Sequence, residues 1–252
     1  MRSRTDIRPI YTFGYVDESG ISNRWFVCGL LVHGPKVSGI DDVRLNKHIR
    51  SLKVEAGIAP RGDFGWKKIP TKPGKYMEFY KHCIKGFFRH PKLAFHAIVI
   101  DTHRYPLDSK TFFHGSRDVG MDAFAFHLIR SVVVHHLSQG EQAYMRFDQR
   151  SRPEGVTLAE VSRRLTSSVQ PGVRFNLRSV VGGRHPLLQV TDLLLGCVAG
   201  ALNGNITSSG RVAILDMLSG TLGRNPAQPT GPSEKKFNVW LFEASIRSIA
   251  EI

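Results

Sequence analysis

Three aromatic and β-branched runs in this chain stop on an aspartate: Tyr11-Thr-Phe-Gly-Tyr-Val-Asp17, Lys92-Leu-Ala-Phe-His-Ala-Ile-Val-Ile100-Asp101 and Tyr144-Met-Arg-Phe147-Asp148. Each run has the composition of a buried strand. A carboxylate ending a buried strand adds little to stability, but it is well placed to hold a hard cation. The first run carries a second acid, Glu18, and then Ser19 and Gly20 as a turn. Successive strand residues point to opposite faces, so only one of the two acids need face a site, and Asp17 is the preferred one.

Helical patterns separate these strands. Arg24–Val32 reads as a second strand, turned back on the first at Ser22-Asn23. An amphipathic helix is predicted from Gly39 to Ala56 on Val43, Ile49, Leu52 and Val54, and another from Gly74 to Arg89 on Tyr76, Phe79, Tyr80, Cys83 and Phe87. Between them, Ala59–Pro70 is loop-like with a short third strand in it. Further helices are predicted at Asp122–Leu137, Leu158–Val169 and His185–Leu202, with a strand at Phe175–Val181. Residues 203–233 are rich in Gly, Ser, Pro and Asn and read as a loop with a short helical piece at Val212–Leu218. A last helix is expected from Lys235 to Ile249. Interleaved strands and helices opening on a hairpin predict an α/β fold, a mixed sheet flanked by helices with a C-terminal helical and loop extension. The 252 residues are read as a single domain, its core at about 10–202.

Charge bounds the partner. Thirty-five Lys and Arg against 21 Asp and Glu leave +14, spread along the whole chain. A field of that sign favours a polyanion, most obviously nucleic acid. The three cysteines (Cys28, Cys83, Cys197) lie in apolar runs without CxxC spacing and read as core residues in a reducing compartment. The longest apolar run, Leu193–Leu202, falls short of the roughly 18 residues of a bilayer span, and Met1-Arg-Ser-Arg-Thr-Asp6 leads into no signal-peptide pattern. No membrane partner is expected, and the location expected is the cytoplasm.

A further aspartate, Asp192, sits inside the apolar helix Leu187-Leu-Gln189-Val-Thr-Asp192-Leu-Leu-Leu195-Gly196. Buried and ionised, it is costly unless paired or metal-bound. Gln189 and Gly196 share its face, and a glycine there leaves room for a metal or a backbone. Oxygen ligands from several elements converging on Mg²⁺ are what phosphoryl transfer needs. Taken singly, a strand-terminal aspartate is equally a turn or capping residue, and Asp192 could form a buried ion pair. The histidines lack zinc-type or metalloprotease spacing; His185, just before the Asp192 helix, reads as a loop residue near the site. Ser19 lies beside the acids without the G-x-S-x-G context of a serine hydrolase.

Val16-Asp-Glu-Ser-Gly20, Asp148-Gln-Arg150 and Leu188-Gln-Val-Thr-Asp-Leu-Leu-Leu-Gly196, in that order, resemble the family called domain of unknown function 3800. The likeness runs from about Thr12 to Leu202. It implies a ribonuclease H-like fold, related to nucleases of the integrase and junction-resolvase type, with Asp17, Asp148 and Asp192 as metal-facing acids. Family members often carry an acid-x-Lys-Trp segment, which Asp63-Phe-Gly65-Trp66 resembles, with Gly65 in place of the lysine; Lys67 or Lys68 is the expected substitute. Asp101 matches no family motif and is expected behind the ligands.

The leading expectation is a Mg²⁺- or Mn²⁺-dependent nuclease hydrolysing DNA or RNA. Asp17, Asp148, Asp192 and Glu18 are its expected catalytic residues, and Arg150, Arg152, Arg163, Arg164, Arg174, Arg178 and Arg184 are expected to bind phosphates. The alternative is a catalytically silent nucleic-acid-binding or assembly module on the same fold. A hydrolase of a small phosphorylated or glycosidic substrate, using paired carboxylates, is a third reading. The stripe Phe237, Trp240, Leu241 and Ile246 of the expected last helix packs internally or forms a homodimer.

Overall fold

A computed structural model describes residues 11–134, 137–149, 156–169, 171–204 and 206–243. Strands β1 (Tyr11–Ser19), β2 (Trp25–Val37) and β3 (Leu93–Asp101) form an antiparallel meander. Strand β4 (Gln142–Asp148) lies parallel to β1 on its other side, and β5 (Arg174–Val180) parallel to β4. The sixth strand, β6 (Phe237–Leu241), closes the far edge parallel to β3. The order across the sheet is β5-β4-β1-β2-β3-β6, a mixed sheet flanked by helices as expected from the sequence.

Alternation along the strands divides the core in two. Phe13, Tyr15, Leu31, Phe95 and Phe237 face one layer, made of α1 (Gly39–Glu55), α2 (Lys75–Arg89), α6 (Pro186–Asn203) and α7 (Ser209–Leu222). Val16, Leu30, Ile98, Met145 and Phe147 face the other, made of α3 (Lys110–Phe113), α4 (Arg117–Val133) and α5 (Val156–Ser167). By length and composition α6 meets what a bilayer span requires, but its apolar surface is buried against the sheet and its neighbouring helices.

Several elements differ from expectation. The short strand within Ala59–Pro70 is instead a loop ending in a 3-10 turn at Trp66–Lys68. Residues 203–233 contain a full helix, α7, held by buried Ile214 and Leu218. The expected last helix is absent over 237–241. Phe237, Trp240 and Leu241 have helical spacing, but Phe237 and Val239 alternate inward at period two and are fully buried, which makes β6 a strand. The homodimer built on that helix therefore loses its basis, and Ile246 lies outside the described residues.

Helix α1 follows its expected stripe only in part: Ile49 is buried and Leu52 packs against the core, but the rest of the pattern is reversed. Val43 and Val54 are 65% and 48% exposed, whereas Asp42, Asn46 and Lys53 are buried. The Asp42 carboxylate accepts from the Tyr15 hydroxyl at 2.7 and 2.8 Å and from Arg146 Nη1 at 3.2 Å, and it lies 3.0 Å from His33 Nδ1. Hydrogen bonds and ion pairing from three elements offset its desolvation.

Candidate active site at the end of the sheet

Parallel pairing sets Val16 level with Phe147 on neighbouring strands. The next residues, Asp17 and Asp148, therefore lie side by side, Asp17 two residues before the end of β1 and Asp148 at the end of β4, both on the α6 face. Helix α6 crosses that face and carries Asp192, and the loop before the 3-10 turn carries Asp63. All four aspartates line one cavity of about 360 Å³, together with Arg61, Gln189 and the Gly182-Gly183 backbone.

Backbone N–H groups aim these acids. Asp17 Oδ1 accepts from Glu18 N at 2.8 Å. Asp148 Oδ1 accepts from Gln149 N at 2.9 Å and Gly182 N at 3.0 Å. Asp192 Oδ2 accepts from Trp66 N at 3.0 Å. Asp63 Oδ1 accepts from Gly65 N at 3.2 Å and from Gln189 Nε2 at 2.8 Å. Among the described residues, no hydrogen bond reaches the second oxygen of Asp63, Asp148 or Asp192, and no arginine or lysine pairs with any of these three.

Electrostatics reflect that crowding. Burial pushes the Asp192 carboxyl up to about 6, with the Asp63 and Asp148 charges adding to it and the Trp66 N–H and Lys67 opposing it. Asp148 is likewise pushed up by burial, against the Gln149 and Gly182 N–H groups and with help from Asp63. Among the described residues, no group of three or more His, Cys, Asp and Glu side chains is assembled so as to hold a metal ion by itself. The chemistry of the cavity nevertheless suits one: its donors are hard carboxylate oxygens with no His or Cys, which favours Mg²⁺ or Mn²⁺ over zinc. Gln189 Oε1 adds a buried oxygen without a hydrogen-bond partner.

Two glycines permit this packing. A Cβ on Gly65 would collide with Asp192 Oδ2, so the lysine usual at this place in the resembling family does not fit here. A Cβ on Gly196 would overlap the Trp66 ring; the space beside Asp192 receives an indole, not a metal.

Other expected residues fall elsewhere. Glu18 pairs with Cys28, which belongs to the opposite core layer, so it points away from the cavity. Ser19 is not in the lining. Asp101 ion-pairs with Arg24 at 3.0 Å and caps its turn through His103 N. Lys67 and Lys68 are exposed on the 3-10 turn outside the lining, Lys67 near enough to act on Asp192. His185 precedes α6 and, with Arg184, lines a separate groove. Arg163 pairs with Glu160 and Arg164 lies over Phe126 at 4.4 Å, both on the opposite face of the sheet. Arg174 starts β5 beside Gln142, at the other end of the sheet from Asp148, while Arg178 lies along the same strand. Arg150 and Arg152 lie outside the described residues.

Two residues escape sequence reading. Arg61 is the cation in the lining, and its place between Pro60 and Gly62 in a loop gave no sign of it. Lys53, fully buried, donates from Nζ to Gly62 O at 2.6 Å and so holds the Asp63 loop to α1.

The fold and cavity together define an α/β protein with a mixed sheet flanked by helices and an acidic pocket toward one end of that sheet. No family model and no curated protein matches the chain. Among solved structures it is similar to ribonuclease HII in its complex with PCNA from Archaeoglobus fulgidus, at 11% identity and TM-score 0.42, covering 84% of this chain and 77% of that one. It is also similar to ribonuclease H2 from Pyrococcus horikoshii OT3, at 10% identity and TM-score 0.44, covering 88% and 82%.

Proposed function

We propose that this chain is a divalent-metal-dependent nuclease that hydrolyses phosphodiester bonds of DNA or RNA. The observation that carries the reading is the meeting of Asp17, Asp63, Asp148 and Asp192 on one cavity in a protein of net charge +14. Like charges gathered at a sheet end destabilise one another unless a cation is shared among them. The order of the sequence motifs around Asp17, Asp148 and Asp192 supports the same assignment.

In this reading Asp17, Asp148 and Asp192 hold Mg²⁺ or Mn²⁺, with Asp63 beside them. Such an ion, when bound, lowers the pKa of a coordinated water and neutralises charge on the scissile phosphate. The chain's own groups do the orienting. Trp66 N–H fixes Asp192, Gly182 N–H fixes Asp148, and Gln189 fixes Asp63. Arg61, on the lip of the cavity, meets the phosphate as it enters.

The test is cleavage of labelled single- and double-stranded DNA and RNA with Mn²⁺, Mg²⁺ or EDTA. Cleavage that needs the ion and disappears in Asp17→Asn, Asp148→Asn and Asp192→Asn is the expected result. Substrate bound but left intact under every condition, by wild type and variants alike, refutes the nuclease and leaves the silent binding module.

A further inference from the structure

Beyond the acidic cavity, on the same face of the sheet, the chain carries a basic groove and then an aromatic pocket. The groove, of about 730 Å³, lies between α1 and the Arg184-His185 turn. Its cations are Lys47, Arg50, Arg146 and Arg184, against two acids: Glu55, and Asp42 already engaged by Tyr15, Asn46 and Arg146. It adjoins the acidic cavity through consecutive residues: Pro60 lines one and Arg61 the other, Arg184 one and Gly183 the other. Arg50 Nη2 donates to Arg184 O at 3.1 Å, which draws two exposed cations to one place.

Arg146 lines both this groove and the next pocket, of about 320 Å³, with Tyr11, Phe13, Tyr144, Asn176 and Arg178. Its guanidinium is prearranged. Nη1 donates to Tyr15 Oη at 2.7 Å and to Asp42 Oδ2 at 3.2 Å, and the group lies 5.7 Å from the Phe13 ring centre, with 26% of the side chain exposed. A fixed guanidinium loses little freedom on meeting a phosphate. Beside it Tyr144 is stacked on Phe13 at 5.6 Å, while Tyr11 meets Tyr144 edge-on at 5.3 Å; both tyrosines are partly exposed.

We infer that these surfaces form one track for a single-stranded segment of nucleic acid leading to the acidic cavity. Arg50, Arg184 and Arg146 hold its phosphates, and one unpaired base lies against Tyr144 and Tyr11, with Arg178 at the pocket edge. Ring faces recessed between arginines accept a base only when it is unstacked from a partner strand. The inference rests on the nuclease reading for the direction of the track and assigns its substrate class: a strand unpaired beside the cleavage point.

The track is tested by binding in EDTA, where no cleavage intervenes. Fluorescence anisotropy is read for labelled single strands of DNA and RNA, and for the same strands annealed to their complements, over a salt series. The full chain is compared with Arg50→Glu, Arg184→Glu, Tyr144→Ala, Arg178→Glu and, on the far side of α2, Lys85→Glu. Single strands are expected to bind at least tenfold tighter than duplexes. Arg50→Glu and Arg184→Glu should each weaken binding about tenfold and flatten the log–log salt slope by about 0.7. Tyr144→Ala should cost the single strand about tenfold and the duplex nothing. Should Tyr144→Ala fail to fold, Arg178→Glu on the exposed edge strand tests the same pocket. Equal losses in Lys85→Glu, duplexes bound as tightly as single strands, or no binding at all would overturn the track. The expected binding pattern without metal-dependent cleavage overturns the nuclease alone; cleavage by wild type with binding indifferent to these variants overturns the track alone.

Discussion

Replacing Asp192 by asparagine should make the metal-free protein more stable at neutral pH. Burial, and then Asp63 and Asp148, push this carboxyl from the ordinary 3.8 to about 6. A folded state that raises an acid's pKa binds more protons than the unfolded chain between those two values. Stability therefore falls as pH rises through that window, the reverse of an ion-paired aspartate. At about 1.4 kcal/mol per pH unit, the gap is an upper limit of about 3 kcal/mol. The asparagine introduced by Asp192→Asn retains an oxygen for the Trp66 N–H, found at 3.0 Å in the wild type, and carries no charge. The side chain is partly open to the cavity, so about 2 kcal/mol is expected.

The assay is urea unfolding from pH 4 to pH 8 in EDTA. Wild type should lose stability between pH 4 and pH 7 relative to Asp192→Asn, the two nearly agreeing at pH 4. Saturating Mn²⁺ should then restore wild type and not the variant, since an ion at one hundred times its dissociation constant adds about 2.7 kcal/mol to the state that binds it. A variant less stable than wild type at pH 7 in EDTA would refute the reasoning: the carboxylate would then be held by favourable contacts rather than strained by its neighbours.

Gly65→Ala forces a Cβ into Asp192 Oδ2 and should cost about 1–3 kcal/mol, with metal-dependent cleavage lost while single-strand binding persists; paired urea and anisotropy measurements decide it. Lys53→Met keeps the buried volume but removes the hydrogen bond to Gly62 O, so about 1–2 kcal/mol should be lost in urea unfolding, with weaker cleavage through displacement of Asp63. Asp42→Ala leaves Arg146, His33 and Tyr15 without their shared acceptor and should cost about 3–5 kcal/mol in the same assay, far more than any exposed acid such as Glu55. Burial would raise the Asp42 pKa, but the His33 and Tyr15 hydrogen bonds and Arg146 outweigh it and hold it low. That contribution is present above the unfolded pKa and disappears as pH falls through the lowered folded value, so the gap between Asp42→Ala and wild type should narrow in acid.

What the sequence discloses follows from what its patterns encode. Strand alternation placed Asp17 and not Glu18 on the α6 face, because period two is a property of the backbone. Helix α1 defeats the same kind of reading. Of its stripe Val43, Ile49, Leu52 and Val54, only Ile49 and Leu52 turn inward; the rest of the buried face carries Asp42, Asn46 and Lys53, whose partners Tyr15, Arg146 and Gly62 come from other elements. No count along the helix reveals them. β6 fails for lack of length: five residues satisfy both periods, and only pairing with β3 decides between them. Arg61 had no pattern at all, being brought to the cavity by a loop that Lys53 anchors from α1.

Sheet order explains why three aspartates that look alike in sequence part company. Asp17, Asp101 and Asp148 all lie at or near the ends of strands that run in the same direction, so all fall toward the same end of the sheet. But β4 is next to β1, whereas β3 stands beyond β2. Strands lie about 4.8 Å apart, so Asp148 starts one spacing from Asp17, whereas Asp101 lies two strands away, about 10 Å across the sheet, and about 13 Å farther along it, because Asp17 is level with Gly29 and Asp101 with Trp25. At that separation Asp101 finds Arg24 and is neutralised, while Asp17 and Asp148 remain neighbours beneath Asp192. A hairpin partner cannot supply the second acid, because an antiparallel strand begins where β1 ends. The crossover through α4 delivers β4 parallel to β1 and makes the paired carboxylates possible, so the acidic pocket is a consequence of topology as much as of composition.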